Sequence, residues 1–265
     1  MSDQKRQVLV IDSGVGGLTV AKEIMALIPN ASIAYFADHG YFPYGDKDEA
    51  WLVNRLVDLL RKGITRFNPD VLVIACNTAS TTVLPHLRQR FSRPIVGVVP
   101  AIKPASQHSQ KKQIGLLATT GTVSRSYTDR LIADFASDCQ VIAVGSQELV
   151  HMAESKIQGQ AVDHEKLREI CRDFLNDHGE PRVDVVVLGC THFPVLRIDF
   201  EQAVSDEIRW IDSGEAIAQR VKSLMPNELA AASGSHIFLT SDDRYLSSGL
   251  TSYLRNMGFS DMGLG

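Results

Sequence analysis

The chain has 265 residues, of which 44% are hydrophobic, 7% aromatic and 22% charged, and its formal net charge is -4. This length suits one large α/β domain or two smaller domains, and the composition excludes a disordered or fibrous protein. The small net charge and the scattered basic residues argue against a dedicated nucleic-acid binder.

The N-terminal segment and the cysteines indicate a cytoplasmic protein with reduced thiols. The apolar stretch before Asp12 is too short for a signal peptide, and no apolar run approaches the roughly 18 residues of a membrane-spanning helix. The cysteines form no C-x-x-C pair and the histidines no H-x-x-x-H spacing, so we expect neither a disulfide framework nor a metal site. We interpret Cys139 and Cys171 as structural.

Short apolar runs alternate with amphipathic segments along the chain. The runs predict strands at residues 8–11, 33–37, 71–75, 95–99, 114–118, 141–144, 185–189 and 208–211. Apolar residues three and four positions apart predict helices at Leu18–Ile28, Glu49–Phe67, Thr122–Phe135, His164–Asn176 and Glu215–Leu224. This alternation indicates the α/β class, with mostly parallel sheets flanked by helices.

Two internal echoes suggest that the chain contains two related halves. Residues 70–78 (DVLVIACNT) resemble residues 184–192 (DVVVLGCTH), and residues 11–14 (IDSG) recur at 211–214. We therefore predict two pseudo-symmetric lobes, one formed by residues 1–98 plus 211–265 and the other by residues 99–210. Pro100 and Pro104 lie where we expect the chain to pass from the first lobe to the second.

The first echo places Cys76 and Cys190 just past the carboxyl ends of predicted parallel strands, where open α/β sheets bind ligands. We expect both to face a shared cleft between the lobes. A helix begins near Ala79, and its N-terminus favours the Cys76 thiolate. Beside the other cysteine, His192 could hold or relay a proton.

Three further segments that follow predicted strands are rich in glycine, hydroxyl or aromatic residues. Residues 12–17 (DSGVGG) form a glycine turn before a helix, but Thr19 stands where a dinucleotide-binding loop needs glycine, so we predict an anion site there instead. Residues 119–122 (TTGT) offer hydroxyls, of which at least one should cap the next helix. Residues 43–45 (PYG) form a predicted turn.

Six motifs in this order, between about residues 8 and 225, resemble the glutamate racemase family: IDSGVGGLTV, PYG, ACNTAS, IGLLAT, LGCTHFP and the late IDSG. The resemblance implies two α/β lobes with the active site in the cleft between them, and Cys76 and Cys190 as catalytic bases supported by Asp12 and His192. It also implies that substrate is bound by Asp12, Ser13, Pro43, Tyr44, Gly45, Asn77, Thr78, Thr119, Thr122, Thr191 and His192. Two positions depart from the family pattern: His39 replaces a usual threonine, and the place of an acidic residue near Glu148 is ambiguous, so we leave Glu148 out of the site.

We therefore expect a glutamate racemase that uses no cofactor and no metal and supplies D-glutamate for peptidoglycan. Racemisation by two opposed bases needs one thiolate and one thiol at the same time, so the cysteines should titrate as a coupled pair. We expect Cys76 to pair with Asp12 and Cys190 with His192. As partners we expect L- and D-glutamate and a second copy in a homodimer, with no membrane. Activation by a cell-wall precursor and a DNA gyrase contact, known in some relatives, are open in this sequence.

Three alternatives are open at this point. In a cysteine amidohydrolase Cys190 would be the nucleophile and His192 the base, although residues two apart at a strand end point awkwardly for that pairing. A two-lobed binding protein for small acids would need the hydroxyl groups but no thiols. An aspartate racemase would differ only in the length of the substrate that fits.

Overall fold

Two all-parallel sheets, one of six strands and one of four, organise the residues that the computed structural model describes, which are 6–225 and 233–265. These residues form two compact units, one drawn from Met1–Val98 with Gly214–Gly265 and the other from Val99–Ser213. The second unit extends past residue 210, where the sequence placed the boundary, because Ile211 still pairs with Val187 in the four-stranded sheet.

The first unit contains the six-stranded sheet and five helices among its described residues. Its strands are β1 (Arg6–Asp12), β2 (Ala31–Ala37), β3 (Val71–Ile74), β4 (Ile95–Gly97), β9 (His236–Thr240) and β10 (Phe259–Leu264). Its helices are α1 (Leu18–Leu27), α2 (Glu49–Phe67), α3 (Asn77–Arg90), α10 (Gly214–Leu224) and α11 (Ser248–Asn256). The strands lie in the order β10-β9-β2-β1-β3-β4.

The second unit is a four-stranded sheet with six helices. Its strands are β5 (Gln113–Ala118), β6 (Gln140–Gly145), β7 (Val185–Leu188) and β8 (Arg209–Ile211). Its helices are α4 (Ile102–His108), α5 (Thr120–Val123), α6 (Ser126–Phe135), α7 (Glu148–Ile157), α8 (His164–Ile170) and α9 (Arg197–Ala203). The strands lie in the order β6-β5-β7-β8.

The two units share a strand order, which confirms the predicted pseudo-symmetry. In each, the first strand is central, the second lies on one side, and the third and fourth lie on the other. Cys76 follows the third strand of the first unit, and Cys190 follows the third strand of the second. The first echo is therefore a true structural equivalence.

The second echo is not a structural equivalence. Asp12 ends β1, the first and central strand of its unit, whereas Asp212 follows β8, the fourth strand and the edge of the other sheet. The strand that matches β1 is β5, and it is followed by Thr119. The two IDSG segments therefore resemble each other in sequence only. Both lead from a parallel strand into a helix, but the two strands are not equivalent.

Continuous apolar runs explain both sheets, since strands covered by helices on both faces bury every side chain. All residues of β3 and β7 are buried. The long helix α2 is capped at its N-terminus by Asp48, whose carboxylate accepts a hydrogen bond from the Trp51 amide at 2.8 Å. At its C-terminus it is capped by Asn68, whose backbone is in the left-handed region (φ 46°). Its buried stripe packs on β1 and β3 in one core, and α4 packs on β5 and β7 in the other.

Two predicted helices are shorter in the structure. The segment predicted at Thr122–Phe135 is two helices, because Arg125 is extended (φ -91°, ψ 137°) between α5 and α6. The segment predicted at His164–Asn176 ends as a helix at Ile170 and continues in a 3₁₀ turn at Arg172–Phe174.

Candidate active site

Cys76 occupies the junction of β3 and α3, as the sequence predicted. Its backbone is extended (φ -83°, ψ 121°), and its carbonyl accepts a hydrogen bond from the Ser80 amide at 2.8 Å, so it is the N-cap residue of a 14-residue helix. Its side chain is 8% exposed. The dipole of a helix N-terminus favours negative charge, so this position suits a thiolate.

A hydroxyl group links Asp12 to Cys76. Ser13 lies with its Oγ 3.4 Å from Oδ1 of Asp12 and 4.0 Å from Sγ of Cys76. All three residues are buried. The expected partnership of Asp12 and Cys76 therefore runs through Ser13, whose single hydroxyl proton can be donated either to the carboxylate or to the sulfur.

The glycine turn after β1 binds an anion that belongs to the chain itself. The carboxylate of Asp12 accepts hydrogen bonds from the Ser13 amide at 2.6 Å and from the Gly17 amide. A Cβ atom at Gly17 would lie 2.7 Å from Cβ of Ala75 and 2.9 Å from Oδ2 of Asp12, so glycine is required for this approach. The sequence predicted that this turn binds the anion of a ligand. For the Ser13 and Gly17 amides this prediction is wrong, because both already donate to the Asp12 carboxylate.

Asn77 supplies a polar group without a partner beside Cys76. It is 4% exposed, and among the described residues its Oδ1 takes no hydrogen bond. An unpaired buried amide costs about 1–3 kcal/mol, which a ligand with a matching polar group would recover. Asn77 therefore fits the predicted role in substrate binding. Thr78 is also buried at this helix end, where its carbonyl accepts from Thr81 and Thr82.

The loop that carries Pro43, Tyr44 and Gly45 is anchored by a buried ion pair. Arg55 donates to both oxygens of Asp38, from Nη2 at 2.6 Å and Nε at 2.8 Å, and the Tyr44 hydroxyl donates to the same carboxylate at 2.7 Å. Burial, followed by the charge of Asp38, raises the pKa of Tyr44 well above its usual value, so the phenol stays protonated. Pro43 precedes this tyrosine, and no atom lies within 4 Å of a Cβ built on Gly45.

His39, the first departure from the family pattern, has its own partners. Its ring stacks on Tyr245 with centroids 4.3 Å apart, and its Nδ1 lies 3.1 Å from Oγ1 of Thr240. This tyrosine belongs to the segment after β9. The loop at residues 38–45 is thereby held to the C-terminal part of its own unit.

Cys190 has a different partner from Cys76. It lies past β7, is 8% exposed, and precedes a four-residue 3₁₀ turn (Phe193–Leu196) instead of a long helix. Its Sγ is 3.9 Å from Nδ1 of His192, so the two side chains contact each other although they stand only two positions apart at a strand end. The opposite nitrogen of the ring, Nε2, is 2.7 Å from Oε1 of Glu154.

The carboxylate, imidazole and thiol form a buried chain of titratable groups. Burial lowers the pKa of His192, but hydrogen bonds to Cys190 and Glu154 and their charges outweigh it and raise that pKa well above its usual value. His192 is only 3% exposed, so the Glu154 contact fixes the orientation of its ring. A protonated imidazole here places a positive charge 3.9 Å from Sγ of Cys190.

The sequence analysis missed Glu154 and left Glu148 open. Glu148 begins α7, is half exposed and lies 3.8 Å from Nζ of Lys166, so it stands outside this chain of groups. Glu154 lies on the same helix, which was not predicted from the sequence. Apolar residues at 149, 150, 153 and 157 were the available signal, because they place position 154 at the edge of a buried stripe.

The threonines predicted to bind substrate in the second unit lie just beyond two of its strands. Thr119 follows β5 and caps α5, where its Oγ1 accepts from the Thr122 amide at 3.2 Å and lies 3.0 Å from the Thr122 hydroxyl. This confirms the expectation that one of them is a cap. Thr191 is buried between Cys190 and His192.

The remaining cysteines have different surroundings. Burial raises the pKa of Cys171 to about 12, so its thiol is inert at neutral pH. Cys139 is partly exposed, and burial and Asp138 raise its pKa. All four cysteines are free, and within the described part of the chain no three acidic, His or Cys side chains are grouped to hold a metal.

The fold of the two α/β units and the relatives described next define the class of the protein, which is that of the amino-acid racemases. The chain belongs to the Asp/Glu/hydantoin racemase family, whose model matches residues 24–221. Among its relatives, the glutamate racemase of Klebsiella pneumoniae is 48% identical over 234 residues, which are 88% of this chain and 82% of that protein. The glutamate racemase of Salmonella typhimurium is 48% identical over 86% of this chain and 80% of its own length.

Solved structures agree with this family. Escherichia coli glutamate racemase, in complex with L-glutamate and the activator UDP-MurNAc-Ala, has a TM-score of 0.90 and 43% identity, with 98% of both chains covered. A glutamate racemase from Bacillus anthracis has a TM-score of 0.81 at 25% identity, covering 97% of this chain and 96% of that one. No helix in residues 6–225 or 233–265 has the length and apolar content needed to cross a membrane.

Proposed function

We propose that this protein interconverts L- and D-glutamate and that Cys76 and Cys190 are its two bases. The observation that carries the proposal is the equivalence of the two cysteines: each follows the third strand of its unit and each has a partner that can handle a proton. The named relatives, which are glutamate racemases, support the substrate.

The chemistry requires both thiols to reach one α-carbon from opposite faces. One cysteine, as thiolate, takes the α-proton, and the electron pair of the broken C–H bond stays on the substrate as a carbanion. The other, as thiol, gives its proton to the opposite face of that carbon. After one turnover the two cysteines have exchanged protonation states, and no atom is gained or lost.

The two sides would support their cysteines by different means. The end of helix α3 and the hydroxyl of Ser13 stabilise a thiolate at Cys76. At Cys190 a protonated His192, held by Glu154, supplies a full positive charge. Asn77 would hydrogen-bond the substrate, and Asp12, Tyr44 and the threonines would complete its binding.

The test is a chirally resolved assay with L-glutamate and L-aspartate in deuterated buffer. We expect racemisation of glutamate with uptake of one deuterium at the α-carbon. Cys76→Ala and Cys190→Ala should each abolish racemisation, whereas Cys139→Ala, a cysteine outside the site, should not. Full turnover in Cys76→Ala would contradict the two-base mechanism. Faster racemisation of aspartate than of glutamate would show that aspartate is the substrate.

The Glu154–His192–Cys190 chain also suits a cysteine hydrolase, in which the thiolate would attack a carbonyl carbon. That function would leave Cys76 without a role. A covalent acyl adduct on Cys190, detected by mass spectrometry, would favour it over racemisation.

We further propose that the D-glutamate product serves peptidoglycan synthesis and that a cell-wall precursor activates the enzyme. Support for activation comes from the Escherichia coli relative, whose structure contains UDP-MurNAc-Ala as activator. Turnover measured with and without this nucleotide tests it directly. A homodimer and a cytoplasmic location stay predictions, which light scattering and cell fractionation would check.

A further inference from the structure

A buried carboxylate in the second unit contacts a lysine and a histidine side chain from two other helices. Asp199 on α9 is 7% exposed, and its Oδ2 accepts a hydrogen bond from Nζ of Lys156 on α7 at 2.5 Å. Its Oδ1 lies 3.1 Å from Nε2 of His164, the first residue of α8. A buried carboxylate needs such partners, because its unpaired charge would be costly away from water. Asp199 therefore ties three helices together.

Lys156 makes a second contact close to the candidate site. Its Nζ also donates to the carbonyl of Val195 at 3.1 Å, within the 3₁₀ turn Phe193–Leu196 that directly follows His192. One ammonium group thus bridges the turn after the candidate proton carrier and the helix beyond it.

Glu154 and Lys156 lie on opposite edges of the buried stripe of α7. The stripe consists of Leu149, Val150, Ala153 and Ile157. At about 100° per residue, position 154 lies on one side of this stripe and position 156 on the other. Glu154 contacts His192 before the turn, and Lys156 contacts Val195 within it. Rolling the helix about its axis in either direction would stretch one of these contacts.

We propose that Lys156 and Asp199 are positioning residues for His192: their ion pair holds α7 against the turn Phe193–Leu196 and so keeps the carboxylate of Glu154 on Nε2 of the imidazole. As far as turnover is concerned, this inference rests on the proposed racemase function. The exposed pair of Glu148 and Lys166 also joins α7 to α8, but at 3.8 Å and in water it contributes little.

The test compares Lys156→Met and Asp199→Asn with the wild-type protein. The first readout is the ¹⁵N spectrum of the His192 ring over a pH series, assigned with His192→Gln. We expect the imidazole to lose its proton at lower pH in both variants, because Glu154 is no longer held beside it. Lys156→Arg, which keeps a cationic donor at Asp199, should restore the wild-type titration. Should either variant fail to fold, this arginine variant against wild type still tests the need for charge.

The second readout is the kinetic isotope effect of α-deuterated glutamate, measured separately with each enantiomer. We expect kcat to fall about tenfold or more, as for a catalytic group that is slightly misplaced. The isotope effect should rise for one enantiomer relative to the other, because only the cysteine beside His192 loses a neighbouring positive charge. A purely structural role would change both enantiomers alike.

The control is Arg197→Met, which removes an exposed ion pair with Glu201 from the same helix α9. It should leave the titration and both isotope effects unchanged. An unaltered His192 titration in folded Lys156→Met and Asp199→Asn would overturn the inference. Failure of the proposed function is separate: the wild-type protein would then not racemise glutamate, while the ¹⁵N titration would still report on the positioning.

Discussion

Glu154 and His192 form a close polar contact beside Cys190, with Oε1 and Nε2 2.7 Å apart and both groups largely buried. Beside Cys76, Ser13 lies between the thiol and Asp12. The two cysteines occupy equivalent positions in the fold, yet one is supported by a helix end and a hydroxyl and the other by an ion pair. Equivalent positions in the fold therefore do not give the two thiols the same neighbours.

Replacing Glu154 by Gln should lower kcat for glutamate racemisation by about a hundredfold, because His192 loses the charge that keeps it protonated and the acceptor that orients it. Chiral chromatography of the product gives the rate. Glu148→Gln, on the same helix but paired with Lys166 at the surface, should retain wild-type activity. Equal losses in both variants would show that Glu154 has no special role.

The same pair makes stability depend on pH. Although burial opposes protonation, hydrogen bonds to Cys190 and Glu154 raise the pKa of His192 well above 6.5, so the folded protein binds this proton more tightly than the unfolded chain does. The stabilisation should be complete below about pH 6.5 and should be lost as the pH rises through the folded-state pKa. Denaturant unfolding of wild type and Glu154→Gln between pH 6 and 9 should show the largest difference at the acid end. A difference that grows with pH would be opposite to this expectation.

Apolar periodicity predicted eight of the ten described strands, because each of those strands reads as a short continuous apolar run, including β4, β6 and β8 at the sheet edges. The exceptions are β9 and β10, at the edge beyond β2. Residues of β10 such as Ser260 and Asp261 are exposed, so its pattern is that of a polar edge strand. Helix α3 was recognised only by its start, since Pro85 interrupts its periodicity.

The site could be predicted where its residues adjoin strand ends and not where they come from helix faces. Asp12, Cys76 and Cys190 follow apolar runs, and their position alone brings them to the carboxyl edge of a sheet. Glu154 lies far along the chain from His192, and only the packing of α7 on the turn at Phe193–Leu196 joins them. The spacing of these two residues in the sequence does not predict their contact.

Gly17→Ala should destabilise the first unit by about 1–3 kcal/mol, the usual range for overpacking. The new methyl group would lie 2.7 Å from Cβ of Ala75 and 2.8 Å from the Tyr35 hydroxyl, and it would push the carboxylate of Asp12 away from Ser13. Chemical denaturation measures the loss. Gly45→Ala is the matched control, because nothing lies within 4 Å of its added atom, and its unfolding free energy should change by less than about 0.5 kcal/mol.

Arg55→Met should lower the unfolding free energy by about 3–5 kcal/mol, since it leaves the fully buried carboxylate of Asp38 without its bidentate partner. Loss of this anchor should also raise KM for glutamate by loosening Tyr44 and its loop. Lys62→Met removes an exposed pair with Asp58 on the same helix and should cost less than about 1 kcal/mol. Similar losses of unfolding free energy in the two variants would mean that the Arg55–Asp38 pair stabilises the fold no more than a surface pair does.

Alkylation tests the candidate site without any measurement of turnover. The pKa of Cys171 is raised to about 12 by burial, so at pH 8 only about one thiol in ten thousand is a reactive thiolate. We expect iodoacetamide to label Cys76 and Cys190 while Cys171 stays unmodified in the native protein, as followed by peptide mass spectrometry.

Saturating glutamate should slow labelling of Cys76 and Cys190 together, because both would face the same bound substrate. Cys139, which is partly exposed and lies outside the site, should be labelled at one rate with or without glutamate. Protection of only one of the two site cysteines would mean that the substrate contacts a single base, and the two-base assignment of this protein would have to be abandoned.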